Sequence, residues 1–223
     1  MVSQEIIIFT FFSYLTGAFP SAVFIGKIFY KIDVREFGSG NAGATNTFRV
    51  IGKKAGLIVL LMDIFKGWLA VTYINYINNY STLLESNPEL FFETQLAFGI
   101  AAVIGHLFPI YTGFRGGKGI ATMLGVLIAI HPFSAILSFL MFLIVVLLTR
   151  YVSLASIIAS FIFPLLIILI FKSDNSSLNL FAFFVPLLSL ITHQKNIERL
   201  IRGEETKVNF GKKNNNKIWK DLL

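Results

Sequence analysis

Long apolar stretches separated by short polar loops make up most of the chain. A helix needs about 20 apolar residues to cross a bilayer, and most of these stretches reach or approach that length. The strict alternation of apolar and polar residues that membrane-barrel strands require is absent. The pattern therefore predicts an all-α, polytopic membrane helix bundle. The apolar stretches are residues 6–29, 55–77, 91–110, 119–149, 153–171 and 178–191.

The stretch 119–149 is longer than one span requires, and His131-Pro132 interrupts it. The residue before a proline resists the helical conformation. The stretch is therefore either one long kinked span or two short crossings that turn at this dipeptide. In the second case His131 marks the outer turn and is not catalytic.

The distribution of lysine and arginine decides between these alternatives, because cytoplasmic loops are enriched in both. Neither residue type precedes the first span or occurs in the loop 78–88. Two crossings within 119–149 place all but two of the 19 basic residues on the same side of the membrane. We therefore expect seven transmembrane helices, with the N-terminus outside and the C-terminus in the cytoplasm.

Composition agrees with this membrane assignment. The chain is 55% hydrophobic and only 14% charged, against roughly 25% charged residues in ordinary soluble domains. It contains no cysteine, which excludes disulfides and thiolate chemistry, and we expect no metal and no cofactor. The pI near 9.6 would also fit nucleic-acid binding, but positive loops on a membrane protein explain the same charge, so no nucleic-acid partner is expected.

The chain shows no soluble second domain. We expect residues 1–205 to form one membrane-embedded domain, with the first span retained because no charged front end of a cleavable signal precedes it. Residues 206–223 form a basic tail, predicted to be flexible, cytoplasmic and attracted to anionic lipid headgroups.

The first polar loop, residues 38–46, is rich in glycine and short polar side chains. Glycines allow tight turns whose successive amides form concave anion sites, and an arginine three residues later adds a cation suited to phosphate. The loop is therefore a candidate phosphate site. Its candidate residues are Gly38, Ser39, Gly40, Asn41, Thr45, Asn46 and Arg49.

The second loop precedes a helix predicted to start near Ile120. A glycine-rich turn at a helix N-terminus favours anions, and Lys118 would supply a point charge. The spacing GxxxxGK[ST] of a nucleotide-binding loop is not met, because Gly119 follows the lysine. The candidate phosphate-binding residues are Gly116, Gly117, Lys118 and Gly119.

The third polar segment, residues 193–204, follows the last span. His193 and Asn196 are three residues apart and hence on one face of a helix. The alternative interpretation is an amphipathic helix lying on the membrane, which explains the arginines but not this pair.

Charged groups also occur within the predicted spans. Asp63 and Lys66 can face each other on one helix side, either as a structural ion pair or as part of a polar active-site floor. His106 either orients the second loop by hydrogen bonding or touches substrate. All three are candidates for site support.

Three ordered segments, GSGNAGATNTFR, GHLFPIYTGFRGGKGIAT and THQKNIERLIRGEE, together resemble the motifs of the bacterial acyl-phosphate:glycerol-3-phosphate acyltransferase family (PlsY). Arg115 stands where that family usually has lysine, and Thr192 where it commonly has arginine. The resemblance covers the chain from the first span to about Glu205. It implies a seven-helix enzyme of the bacterial inner membrane, with its active site facing the cytoplasm.

The resemblance also implies the reaction: acyl phosphate donates a fatty acyl group to glycerol 3-phosphate, giving lysophosphatidic acid and inorganic phosphate. An encounter with the soluble enzyme that makes acyl phosphate is compatible with it. By match to the motifs, the functional positions are Ser39, Asn41, Arg49, Lys118, His193 and Asn196, and of these we expect Ser39, Lys118, His193 and Asn196 to be catalytic.

The residues themselves suit direct transfer without an acyl-enzyme. An acyl phosphate already has a good leaving group, so positioning and charge stabilisation are the main requirements. No base is obviously paired with Ser39, which is expected to hydrogen-bond substrate. His193 is either a phosphate ligand or a general base, and a substrate phosphate oxygen could equally take the proton.

Two other functions compete with this one. His193 and Glu198 form an H-x4-E resembling the H-x4-D of acyltransferases that depend on acyl-CoA or acyl carrier protein. A transporter of a phosphorylated solute would also use many helices and intramembrane charges, although no inverted repeat is detectable.

Overall fold

The computed structural model describes residues 4–77 and 85–209. Every regular element in this part of the chain is helical, as the apolar pattern predicts. Short 3₁₀ turns follow α2, α4 and α5, and a π-helical turn follows α8. The α-helices are α1 (Gln4–Ala18), α2 (Ser21–Tyr30), α3 (Ala44–Val50), α4 (Lys53–Thr72), α5 (Pro88–Leu107), α6 (Ile120–Ile130), α7 (Pro132–Thr149), α8 (Val152–Leu165), α9 (Ser176–Thr192) and α10 (Gln194–Ile201).

The first apolar stretch is broken, whereas the sequence predicts one continuous span over 6–29. Helices α1 and α2 meet at a bend of 44°. Pro20 lies in the break and cannot donate a backbone hydrogen bond, and it disfavours helical geometry at Phe19. The proline sits among apolar residues, so hydropathy alone does not detect the break.

The predicted break at His131-Pro132 is confirmed. Pro132 occupies the first turn of α7, where a missing N–H costs nothing, and the Nδ1 atom of His131 accepts a hydrogen bond of 3.3 Å from the backbone N–H of Ser134. His131 therefore caps α7, which is a structural role.

Several helices are long and apolar enough to cross a membrane. Among the described residues there are four, comprising α4 and α5 with the turns that follow them, α7, and α8 with its π-helical turn. The number rises to six if each bent pair, α1 with α2 and α9 with α10, forms one span. Helix α6 is apolar but only 11 residues long.

The described chain divides into two compact units, residues 4–130 and 131–209. In the first unit, α1 packs on α5 and α4 packs on α6. Glycines permit these close contacts: a side chain on Gly17 would overlap the backbone of Ala102, and one on Gly67 would overlap the carbonyl oxygen of Thr122. Small residues at crossing points are typical of helix packing in membranes.

In the second unit, α8 packs between α7 and α9. Val145, Val146 and Ala155 form a buried core between α7 and α8. Helix α10 bends away from α9 by 66°, and the chain that follows it returns to the start of α8, where the backbone N–H of Val208 donates to the carbonyl oxygen of Arg150 at 2.8 Å.

Candidate functional site

Asn46 organises the first loop from inside. Its side chain is 1% exposed. Its Oδ1 atom accepts from the backbone N–H of Ser39 at 2.9 Å, and its Nδ2 atom donates to the carbonyl oxygens of Val34 and Phe37 at 2.7 and 3.1 Å. The amide that the sequence indicates for phosphate binding thus makes three hydrogen bonds, one within the loop and two to the segment just before it.

The glycines of the first loop meet two different requirements. Gly38 and Gly40 have φ of +63° and +71°, a region that only glycine adopts without strain. A side chain on Gly38 would also overlap Oδ1 of Asn46. Ser39, held between them, is exposed, as is Thr45, whereas Asn41 and Arg49 are half-buried.

An ion pair between Asp33 and Arg35 connects the segment just before the first loop to the second loop. The Oδ1 atom of Asp33 accepts from the backbone N–H and Nε of Arg35 at 3.1 and 3.0 Å, and its Oδ2 atom accepts from Nη2 at 2.8 Å. The same guanidinium donates through Nη1 to the carbonyl oxygen of Thr112 at 3.0 Å. The hydrogen bonds from Arg35 hold the pKa of Asp33 well below its ordinary value.

The second loop is folded tightly before α6, which begins at Ile120 as predicted. Gly113, Phe114 and Gly119 all have positive φ. The backbone N–H of Gly117 donates to the carbonyl oxygen of His106 at 3.2 Å. Lys118 is half-buried at the end of this loop.

A buried polar cluster lies beneath the second loop. The predicted pairing of Asp63 with Lys66 is confirmed, with Nζ and Oδ1 2.9 Å apart. Asp63 also accepts from Ser21 Oγ at 2.9 Å, and Lys66 donates to the carbonyl oxygen of Phe19 at 2.9 Å. Both side chains are at least 90% buried.

His106 belongs to the same cluster. Its Nδ1 atom lies 3.0 Å from Oγ1 of Thr122 and 3.6 Å from Oδ1 of Asp63. The ring is 6% exposed. Three helices, α4, α5 and α6, therefore meet at this histidine.

Two cavities adjoin the cluster. The smaller, about 10 Å³, lies under the second loop and includes Ala42, Lys66, His106 and Gly117 in its walls. The larger is an open groove of about 500 Å³ between α1 and α4. One wall is formed by one face of α1 and the residue that follows the helix, and the other by one face of α4. The lining residues are Phe12, Leu15, Thr16 and Phe19 on the first wall, Met62, Phe65, Lys66 and Leu69 on the second, and Tyr111.

The third polar segment, residues 193–204, lies in the second unit. His193 and Asn196 are 3% and 7% exposed. The Nδ1 atom of His193 lies 2.9 Å from the carbonyl oxygen of Ser189. Because a carbonyl only accepts, Nδ1 carries a proton, and in the neutral ring Nε2 is then the nitrogen with the lone pair.

Glu205 organises this group, and local spacing in the sequence does not reveal it. Its Oε1 atom accepts from Ser153 Oγ and Asn196 Nδ2, and its Oε2 atom accepts from Arg199 Nε, each at 2.8 Å. Burial pushes the pKa of Glu205 upward, but these three hydrogen bonds outweigh it, so the pKa lies below its ordinary value.

The predicted residues thus fall into two sets. The first unit holds both glycine-rich loops, which meet where Gly117 packs against the carbonyl oxygen of Ala42. The second unit holds His193 and Asn196. Glu198, the partner that an H-x4-E motif would need, is exposed and pairs with Arg202 at 2.6 Å. Among the described residues, no three His, Cys, Asp or Glu side chains are grouped closely enough to hold a metal ion.

Comparison with known proteins gives a consistent answer. The family model described as glycerol-3-phosphate acyltransferase matches residues 7–203. A glycerol-3-phosphate acyltransferase of Staphylococcus aureus (strain Newman) is 40% identical over 205 residues, which cover 92% of this chain and 98% of that protein.

Two solved structures are similar along nearly the whole chain. Both are crystal structures of PlsY (YgiH), an integral membrane glycerol 3-phosphate acyltransferase, each covering 92% of this chain and 96% of the other. The glycerol 3-phosphate form has a TM-score of 0.77 at 34% identity, and the lysophosphatidic acid form has 0.78 at 33%. The resemblance seen in the three sequence motifs is therefore confirmed.

Proposed function

Because this chain belongs to the glycerol-3-phosphate acyltransferase family and is an integral membrane acyltransferase of phospholipid biosynthesis, we propose that it transfers a fatty acyl group from acyl phosphate to the 1-hydroxyl of sn-glycerol 3-phosphate. The products are lysophosphatidic acid and inorganic phosphate. No further cofactor takes part, and the donor is acyl phosphate itself, not acyl-CoA or acyl carrier protein.

The observation that carries this proposal is the contact between the two glycine-rich loops in one unit. The first loop presents Ser39 and is followed by Arg49, and the second ends in Lys118. Both proposed substrates carry phosphate, and glycine-rich turns with adjacent cations suit phosphate. Two such loops in contact can bring two phosphorylated molecules together.

Within the first loop the roles divide. Asn46 holds the loop through its internal hydrogen bonds, so its contribution to phosphate binding is to fix the position of Ser39. Ser39 hydrogen-bonds substrate and is not a nucleophile. Gly38, Gly40, Asn41, Thr45 and Arg49 shape or line the phosphate site. In the second loop, the phosphate site is shaped or lined by Gly116, Gly117, Lys118 and Gly119.

The groove between α1 and α4 offers a place for the acyl chain. Its walls are mainly apolar, and Phe19 and Lys66 line both the groove and the small cavity under the second loop. A chain lying between α1 and α4 would therefore have its carbonyl end close to the phosphate-binding loop and its hydrocarbon in an apolar environment.

The transfer itself is a single displacement at the acyl carbon. The glycerol hydroxyl oxygen attacks the carbonyl carbon and forms the ester bond. The bond from that carbon to the bridging phosphate oxygen breaks, and its electron pair leaves with the phosphate. The hydroxyl proton passes to a substrate phosphate oxygen, and Lys118 offsets the negative charge that develops.

His193 and Asn196 complete the proposed set of catalytic residues. The Nε2 atom of His193 is chemically able to accept a hydrogen bond or a proton, because Nδ1 is directed to the Ser189 carbonyl. We assign His193 to phosphate binding and Asn196 to substrate positioning. Substitution of His193 by glutamine, which keeps an acceptor but is not a base, should then preserve more activity than substitution by alanine.

The same proposal includes location. The enzyme lies in the bacterial inner membrane with seven crossings, and its two glycine-rich loops face the cytoplasm, where glycerol 3-phosphate and the enzyme that makes acyl phosphate are found.

Formation of lysophosphatidic acid by the purified protein, from acyl phosphate and glycerol 3-phosphate alone, tests the proposed reaction. Lys118→Ala should lower kcat/KM by about 100-fold or more, because it removes one charge-stabilising group. Lys54→Ala, an exposed lysine outside both loops, is the matched control and should remain near wild type. Product formed from acyl-CoA instead, or an acyl group found on Ser39 by mass spectrometry, would contradict the proposed donor or the direct transfer.

A further inference from the structure

The second loop rests directly on His106. A side chain on Gly117 would overlap Nε2 of the His106 ring, and one on Gly116 would overlap the carbonyl oxygen of the same residue. The backbone N–H of Gly117 donates to that carbonyl oxygen at 3.2 Å. His106 thus contacts two consecutive residues immediately before Lys118, through both its ring and its backbone.

The histidine ring is itself held in place from below. Thr122 Oγ1 lies 3.0 Å from Nδ1, and Thr122 is in α6, the helix that the second loop leads into. Asp63 Oδ1 lies 3.6 Å from the same nitrogen and is fixed by Lys66 Nζ and Ser21 Oγ, each at 2.9 Å. A ring with these contacts and 6% exposure has little freedom to rotate.

Gly117 also connects the two loops. Its position between the His106 ring and the Ala42 carbonyl oxygen means that a shift of the ring would move the second loop relative to the first. Lys118 follows in the chain and would move with it.

Building on the proposed function, we propose that His106 is a positioning residue that supports Gly117 and so fixes Lys118 relative to the first loop. The buried Asp63–Lys66 pair and Thr122 act through it by fixing the ring. His106 neither contacts substrate nor transfers a proton in the reaction.

Kinetics of His106→Ala and His106→Asn separate positioning from proton transfer. The asparagine amide can replace the contact of Nδ1 with Thr122 but leaves the space under Gly117 empty, so both variants should lower kcat/KM without changing the shape of its pH profile. Misplacement by about 1 Å can cost about 100-fold in rate, and we expect a 10- to 100-fold fall in kcat/KM. A fall confined to kcat, with a lost limb in the pH profile, would indicate an acid–base role and overturn the proposal.

A second substitution in the loop tests the contact directly. Gly117→Ala places a methyl group where the His106 ring lies, and in His106→Ala/Gly117→Ala the space vacated by the ring can hold it. The double variant should therefore be at least about tenfold more active than Gly117→Ala alone, a non-additivity expected only of groups in contact.

Gly99→Ala is the matched control, because its methyl group meets Val126, also between α5 and α6 but away from both loops. Combined with His106→Ala, it should give additive effects. Additivity in the Gly117 pair, or the same rescue in the Gly99 pair, would contradict the proposal.

A measurement independent of activity keeps this inference separate from the proposed reaction. The chain has no cysteine, so Arg115→Cys, exposed in the second loop, can carry a single spin label. His106→Ala should increase the mobility of this label, whereas a label at the exposed Lys195→Cys in the second unit should not change. If the mobility of the label at position 115 does not change, the support role of His106 is refuted even when lysophosphatidic acid is formed. If that product is not formed, the comparison of label mobilities still tests the role of His106.

Discussion

At the scale of single residues, the candidate site combines an ion pair within one helix with contacts between separate segments of the chain. Asp63 and Lys66 pair as expected because their spacing of three places them on one helix face. The partners of Asn46 within the first loop, and the approach of Thr122 to His106, depend on how separate segments pack. Sequence spacing alone therefore indicates Asn46 for phosphate binding and does not decide between the two interpretations of His106.

Glu205 shows the same limit most clearly. The residue lies beyond α10 and reaches Ser153 at the start of α8, 52 positions away. A weak signal existed, since an acidic residue follows a basic helix and a glycine, but nothing in the sequence distinguishes Glu205 from its exposed neighbour Glu204. Only the folded chain separates the two.

Replacement of Glu205 by glutamine should destabilise the protein. Glutamine can still accept from Ser153 and Asn196, but it places an N–H opposite Arg199 Nε, so one charge-assisted hydrogen bond is lost and two donors face each other. Hydrogen bonds to charged groups contribute about 1.5–3 kcal/mol, and the melting temperature in detergent at pH 7 should fall. Glu204→Gln is the matched control and should melt like wild type.

The stabilisation that Glu205 gives the folded protein should also decrease at low pH. Its folded-state pKa lies below the ordinary 4.5, so the folded protein releases this proton more readily than the unfolded chain. The stabilisation is complete above about pH 4.5 and is lost as pH falls through the lower folded value. The difference in melting temperature between wild type and Glu205→Gln should shrink over that interval, and a constant difference would contradict the assignment.

At the scale of helices, the apolar pattern predicts most elements. Of the two helix breaks at prolines, it predicts the one at Pro132 but not the one at Pro20. Pro132 follows a polar histidine, so the break between α6 and α7 is visible in the sequence. Pro20 lies between Phe19 and Ser21 within a largely apolar stretch, so the apolar pattern does not predict the bend between α1 and α2. The sequence also does not predict the short helix α3, because its seven residues begin at Ala44, within the segment 38–46 whose glycines indicate a loop.

The groove between α1 and α4 leads to a prediction about acyl-chain preference. Its face on α4 runs from Met62 to Leu69, which is about 10 Å at 1.5 Å per residue, and Leu69 lies at one end of this face. Leu69→Trp should shorten the groove. The ratio of kcat/KM for palmitoyl phosphate to that for octanoyl phosphate should fall by about tenfold, within the range that pocket size commonly gives.

The control for this groove substitution is Leu57→Trp, which adds the same side chain to an exposed position on another face of α4. It should leave the ratio unchanged. An equal fall in both variants would indicate a general disturbance of α4 or of the surrounding lipid, and an unchanged ratio in Leu69→Trp would place the acyl chain elsewhere.

At the scale of the whole molecule, the number of membrane crossings depends on α6. The helix has 11 residues and spans about 16 Å, roughly half of the hydrocarbon core. The distribution of lysine and arginine favours a crossing, because without it the basic tail after α10 would lie outside. Length and charge thus favour opposite answers, and a short crossing needs protein around it or a locally thin bilayer.

Single cysteines in this cysteine-free chain can decide the question. If α6 crosses, Ser176→Cys at the start of α9 lies outside and should react with a membrane-impermeant maleimide in intact cells. Glu36→Cys, exposed beside the first loop, should react only after permeabilisation, and neither substitution removes a topogenic cation. If both positions react only after permeabilisation, α6 does not cross; the number of crossings is then even, and the N-terminus and the tail share a side of the membrane.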